Sequence, residues 1–179
     1  PGAPVTLDHF VTPRLRGERL TEGHLDDVRR LQSDPEVMAL LGGVRDAVQT
    51  AEYLERNLAH WERYGHGVYI VRTLDTEMVA GLGCLRHLQR DERDEIELGY
   101  LLFPVHWGQG LATEIALACR DLGFTLAGRE SLVAVTHPEN RASRRVMEHV
   151  GMAHERETLL DGRPVVVYRG WRPGRAAGR

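Results

Sequence analysis

The chain has 179 residues, 42% of them hydrophobic and 27% charged, with a formal net charge of −3 and a pI near 6.3. These values fit one globular domain large enough to bury a core without staples, and they exclude a disordered chain and, for want of a basic surface, a nucleic-acid binder. All 23 basic residues are arginine, so lysine Schiff-base and lysine-nucleophile chemistry are excluded too.

Residues 1–9 are expected to be a flexible arm. From Phe10 to Leu20, a strand interrupted by Pro13 suits a sheet edge, because proline cannot donate to a ladder. Thr21 is then placed to cap a helix carrying Leu25, Val28 and Leu31, which Asp34-Pro35 breaks. A short turn through Val37, Met38, Leu40 and Leu41 stops at Gly42-Gly43. Thr50 is expected to cap a longer helix with a stripe of Leu54, Leu58 and Trp61, ending at Gly65. Trp61 and Tyr64 belong either to the core or to the wall of an acceptor cleft.

Three strand candidates follow, Gly67 to Leu74, Met78 to Leu88 and Glu95 to Phe103, with Asp75-Thr76 as the first turn. The charged run Gln89 to Asp94 forms the second and is read as a solvated loop. A helix from about Leu111 to Leu126 turns Ile115, Cys119, Leu122 and Leu126 inward. The strand Ser131 to Thr136 then implies a parallel or splayed pairing. Glu139 or Asn140 starts the last helix, with Ala142, Val146 and Val150 inward and Gly151 as its cap. Strands Ala153 to Leu160 and Pro164 to Trp171 are hinged at Asp161-Gly162, and residues 172–179 are expected to be a flexible tail.

Cys84 and Cys119 sit among apolar residues and are expected to be buried, reduced thiols. Nine histidines without HxxxH or HExxH spacing give no metal site. No apolar run approaches a membrane span and PGAPVTLDHF lacks signal-peptide regions, so a cytoplasmic protein is the expectation.

The stretch Glu95 to Glu114, EIELGYLLFPVHWGQGLATE, joins a strand, a glycine loop and a helix start. In Trp107-Gly108-Gln109-Gly110-Leu111-Ala112 the backbone is bare, and Thr113 and Glu114 bring a capping hydroxyl and a first-turn carboxylate. Exposed amides before a helix N-terminus attract phosphates. Gly108 to Thr113 nearly spells the GxGxxG of a dinucleotide fold, but the third glycine is absent. Gly110-x-Ala112 matches the end of the Gln/Arg-x-x-Gly-x-Gly/Ala loop of acyl-coenzyme A enzymes, with Trp107 in the leading place.

With Thr12-Pro13-Arg14-Leu15, Asp34-Pro35-Glu36-Val37, Glu97-Leu98-Gly99-Tyr100, Asn140-x-x-Ser143 and Gly151-Met152, the chain resembles the GNAT acetyltransferases over roughly residues 10–171. The resemblance is to their RimJ/RimL branch, which includes ribosomal-protein N-terminal acetyltransferases. It implies a single domain with a mixed, mostly antiparallel α/β sheet, a splayed parallel pair and flanking helices.

The resemblance also implies a site. The pantetheine arm of acetyl-CoA would lie in the splay against Leu101, Leu102 and Phe103, with the backbone N–H of Leu101 or Leu102 facing the thioester oxygen. Trp107, Gly108, Gln109, Gly110, Leu111, Ala112 and Thr113 would surround the phosphates. His106 and Trp107 border that loop, and Trp107 is expected to pack rather than react. Glu97 is the candidate base, or else the partner of an arginine. Many family members carry a tyrosine on the last helix as proton donor, where this chain has Met147; the resemblance to the RimJ/RimL branch, in which a serine after the asparagine serves, implies Ser143 as the acid, the other reading being a helix-start hydroxyl bonded to backbone. Asn140 would bind the pantetheine amide or cap its helix, and Arg144 or Arg145 would reach the phosphates or lie on the helix surface.

The function expected is acetyl-CoA-dependent acetylation of a primary amine, on a protein N-terminus or a small molecule, by direct attack in a ternary complex. A mildly acidic chain suits a cationic acceptor. A non-catalytic acyl-CoA-binding module and a nicotinamide oxidoreductase are the competing readings. Neither a nucleic acid nor a membrane is an expected partner; a homodimer is compatible with the resemblance, and the sequence carries no legible interface.

Overall fold

The computed structural model describes residues 7–90, 93–125 and 127–174. Its elements run β1 (His9–Val11), β2 (Leu15–Arg19), α1 (Leu25–Ser33), α2 (Pro35–Met38), α3 (Ala47–Tyr64), β3 (Val68–Thr73), β4 (Val79–Arg90), β5 (Arg93–Leu102), α4 (Leu111–Thr125), β6 (Ser131–Thr136), α5 (Arg141–His149), β7 (Ala153–Leu160) and β8 (Arg163–Trp171). One eight-stranded sheet has the order β1-β2-β3-β4-β5-β6-β8-β7. Among the described residues only the β5–β6 pairing is parallel. The expected mixed α/β sheet is therefore present.

β3, with the sequence VYIVRT, is buried at nearly every position, as a central strand covered on both faces requires. α4 lies close against the sheet: a Cβ on Gly83 would fall 2.7 Å from Ile115 Cγ2, so only glycine admits the helix at that distance. Trp61, Tyr69, Ile70, Leu85, Ile96, Leu98 and Ile115 form the fully buried centre. Trp61 satisfies its indole by donating to Val68 O at 2.8 Å. Cys84 and Cys119 are buried and unpaired. Among the described residues no helix is long and apolar enough to cross a membrane.

Several local expectations change. The Phe10 to Leu20 segment is a hairpin of two strands folded around Pro13, and His9 already belongs to β1. Thr21 precedes a single 3-10 turn before α1. α3 is capped by Asp46, in a reciprocal box with Gln49, one turn before Thr50; Thr50 is buried inside the helix. Most of the charged run is strand, since Gln89 pairs with Asp94 and Arg90 with Arg93; residues 91 and 92 lie outside the described residues, as does Leu126. Thr113 is not the cap of α4 but its third residue.

In α5 Ala142 faces out, while Met147 and Val150 are buried, so the inward stripe is rotated by about one residue from the expected one. Gly65 and Gly151 end α3 and α5 in the left-handed region, and Asp161 and Gly162, at φ 50 and 76, make the predicted hairpin turn. Arg172 is still tied to the fold, with its N–H on Glu130 O, and residues 175–179 lie outside the described residues.

Candidate active site

β5 and β6 are in register at one pair, Glu97 with Val133. Beyond it Leu98 to Leu102 and Ala134 to Thr136 diverge, and β6 continues against β8. The fork opens at the end of β5 that runs into the glycine loop. At that end Phe103 N–H donates to Ala80 O at 2.9 Å, and a Cβ on Gly81 would meet Leu101 O at 1.9 Å. Leu101 and Phe103 thus turn their backbone groups toward β4, and alternation turns Leu102 N–H toward the fork. Leu102 O accepts from Trp107 Nε1 at 2.9 Å, so Trp107 packs its indole on the strand end although its side chain is half exposed.

Gly108 and Gly110 hold φ of 71 and 78, a region costly for any residue with a Cβ, and nothing stands within 4 Å of a Cβ at Gly108. Gly110 O accepts the first helical bond, from Glu114 N, so Leu111, Ala112 and Thr113 contribute the free first-turn amides. Exposed amides, bare backbone and a 15-residue helix behind them fit a phosphate. Gln109 is held by its own side chain on Val105 O and by Arg14 on its carbonyl.

Ser143 lies on the other side of the fork, in the first turn of α5. Asn140 caps that helix, its Oδ1 accepting from Ser143 N at 3.0 Å. Arg144 is tied inward, to Tyr168 Oη and Pro138 O, whereas Arg145 is exposed. Met147 is buried and carries no donor. A phenol comes instead from the strand: Tyr100 Oη donates to Ser143 O at 2.9 Å and lies 3.0 Å from Ser143 Oγ. Burial pushes this phenol up to about 12, against the Ser143 bond that lowers it, so Tyr100 stays protonated.

Glu97, three residues before Tyr100, faces the opposite side of the sheet. Arg86 stands directly across on β4, and its Nη2 donates to Glu97 Oε2 at 2.8 Å. That carboxylate and Cys84 hold the Arg86 guanidinium above its ordinary value, against the effect of burial. Both lie in a cleft of about 480 Å³ whose other walls are Tyr53, Arg56, Asn57 and His60 of α3 and the tip of the last hairpin. His60 is fully engaged: its Nε2 accepts from His87 N and its Nδ1 therefore donates to His66 O, each at 2.8 Å. Burial is the main cause that lowers it to about 4, so it is a neutral strut rather than a base.

Sequence reasoning missed Tyr100 as the partner of Ser143, Arg86 as the partner of Glu97, and the polar stripe of α3. The stripe had a signal, because Tyr53, Asn57 and His60 follow helical spacing. The two pairs depend on register and helix rotation.

The family model for the acetyltransferase (GNAT) domain matches residues 14–153. The chain is 33% identical over 138 residues to the protein YkkB of Bacillus subtilis (strain 168), covering 77% of this chain and 80% of that one. Among solved structures, an acetyltransferase from Agrobacterium tumefaciens str. C58 superposes with a TM-score of 0.81 at 28% identity, covering 96% of this chain and 99% of that one. RimL, a ribosomal L7/L12 alpha-N-protein acetyltransferase in complex with coenzyme A, shares the fold with a TM-score of 0.75 at 18% identity, over 90% and 96% of the two chains.

Proposed function

Because the chain belongs to the acetyltransferase (GNAT) family and is an N-acetyltransferase, we propose that it transfers the acetyl group of acetyl-CoA to a primary amine by direct attack within a ternary complex. The observation that carries this reading is the fork beyond Glu97, which opens beside the bare glycine loop on one strand and above Ser143 on the facing helix. The RimL structure with coenzyme A lends the co-substrate by analogy.

In this reading the amides of Leu111, Ala112 and Thr113 hold the phosphates behind Gly108 and Gly110, with Trp107 and Gln109 fixing the loop. Leu101 to Phe103 and the free amide hydrogens of Asn140 line the pantetheine path. The thioester supplies the activated acyl group. Glu97, directly or through water, takes the proton of the amine entering from the cleft, and Arg86 holds its carboxylate in place. Leu102 N–H faces the carbonyl oxygen, where negative charge develops, and Ser143 gives its hydroxyl proton to the departing thiolate; water then reprotonates Ser143 and takes the proton held by Glu97, so the protein ends as it began. Arg144, occupied by Tyr168, steadies α5.

The test follows thermal stability with acetyl-CoA, CoA and NAD, then thiol release across a panel of amines. A ligand at about a hundred times its Kd adds roughly 2.7 kcal/mol. Stabilisation by both CoA forms, with amine-dependent thiol release lost in Glu97→Gln, is expected. Stabilisation without any amine-dependent release returns the protein to a binding module, and stabilisation by NAD alone to the dinucleotide reading.

A further inference from the structure

The acceptor cleft gathers positive charge in an otherwise acidic chain. Arg56 of α3 and Arg86 of β4 line it. Arg45, from the loop before α3, lies over the ring of Tyr53 at 5.2 Å. Arg163 begins β8 beside the lining residue Asp161 and reaches Gly42, where a Cβ would fall 1.9 Å from its Nη1. Burial is the main cause that lowers the Arg45 guanidinium, and the charges of Arg56, Arg86 and Arg163 lower it further, so each of the three acts on Arg45.

In the lining two carboxylates stand against Arg56 and Arg86, and Arg45 and Arg163 add positive charge from beyond the lining. Glu97 is bonded to Arg86, and Asp161 is the other acid in the lining. Among the described residues no carboxylate pairs with Arg45, Arg56 or Arg163, and Arg86 Nε is buried without a hydrogen-bond partner. Arg45 is half-buried and Arg56 and Arg163 are exposed, so guanidinium donors that no carboxylate occupies are open to an arriving anion.

Resting on the acetyl-transfer reading of this cleft, we infer that the amine acceptor is a small molecule bearing a carboxylate or phosphate near its nitrogen, with Glu97 facing the amine and the arginines facing the anion. The local field thereby overrides the cationic acceptor suggested by the net charge of −3. Bidentate capture by guanidinium groups suits either anion.

The experiment compares matched acceptors at saturating acetyl-CoA while following free thiol: the common α-amino acids as free acids and as carboxamides, phosphoethanolamine against ethanolamine, and spermidine. An anionic member is expected to exceed its uncharged counterpart at least tenfold in kcat/KM, and the winning pair identifies carboxylate or phosphate. Arg56→Gln and Arg163→Gln are expected to cut that ratio at least fivefold while acetyl-CoA still raises the Tm as in the parent, which certifies folding. A neutral or cationic winner in every pair, or a ratio that survives both substitutions, overturns the inference and leaves the transferase reading intact. If no amine is turned over, melting of the CoA-saturated protein with each free acid and carboxamide decides: equal shifts overturn the inference. Failure of acetyl-CoA itself to stabilise removes the transferase reading, and this inference with it.

Discussion

Glu114, in the first turn of α4, is held by Arg14, 100 positions earlier: Arg14 N donates to Oε1 and Arg14 Nε to Oε2, at 2.9 and 2.8 Å. Thr12 Oγ1 donates to the same carboxylate, and Arg14 Nη1 reaches Gln109 O at 2.9 Å. The first hairpin therefore braces the glycine loop from outside. These bonds hold the Glu114 carboxyl below its usual range although its partial burial, the largest single influence, raises it. Arg14→Ala is expected to weaken acetyl-CoA binding about fivefold, the equivalent of roughly 1 kcal/mol for a half-exposed ion pair. Calorimetric titration with CoA checks it; unchanged affinity would separate the brace from the loop.

Removing the proposed base should act on turnover. Glu97→Gln is expected to lower kcat about 100-fold and leave the Kd for CoA within about twofold, as for loss of a general base. Steady-state rates beside CoA titration separate the two, and a variant with full kcat would make the Arg86 pair purely structural.

Tyr100 and Ser143 are expected to act together. Ser143→Ala should lower kcat about 100-fold and Tyr100→Phe about tenfold, with roughly 1 kcal/mol of stability lost with the phenolic bond. Because the hydroxyls are 3.0 Å apart, the double variant should fall short of the summed effects by at least about 0.5 kcal/mol. Additive losses in the double-mutant cycle would show that the two side chains act independently.

Acid should unfold the protein through His60. Its native value, about 4, lies below the ordinary 6.5, so between these values the unfolded chain binds a proton that the folded chain refuses. Stability is then greatest above pH 6.5 and falls as pH drops through this window, levelling below about 4. His66, lowered chiefly by burial, adds in the same direction. Melts from pH 4 to 7 should show a steeper acid dependence for the parent than for His60→Asn, and identical slopes would contradict the assignment.

Much of this architecture is legible locally. Alternating and apolar runs locate β3 to β6, and Asp161-Gly162 or Gly151 mark turns by chemistry that few other residues provide. The glycine loop is legible for the same reason. What fails is whatever depends on angle or distance. Asp46 and Thr50 are both good caps one turn apart, so composition cannot choose between them. One residue of rotation about α5 exchanges Ala142 for Met147 and brings Ser143 to Tyr100. Arg86 meets Glu97 only through the β4–β5 register, and Arg14 meets Glu114 only once the first hairpin folds over α4.

The divergence of β5 from β6 also bears on the order in which reactants arrive. Glu97 and Tyr100 look out from opposite faces of one strand, so in the proposed reading an acceptor approaching from the α3 face and a coenzyme lying along the α5 face do not share an entrance. Under the proposed ternary complex neither has to leave before the other enters, and no acyl group is parked on the protein. Double-reciprocal plots should therefore intersect rather than run parallel, and a dead-end analogue of the acceptor should leave the coenzyme site open to exchange.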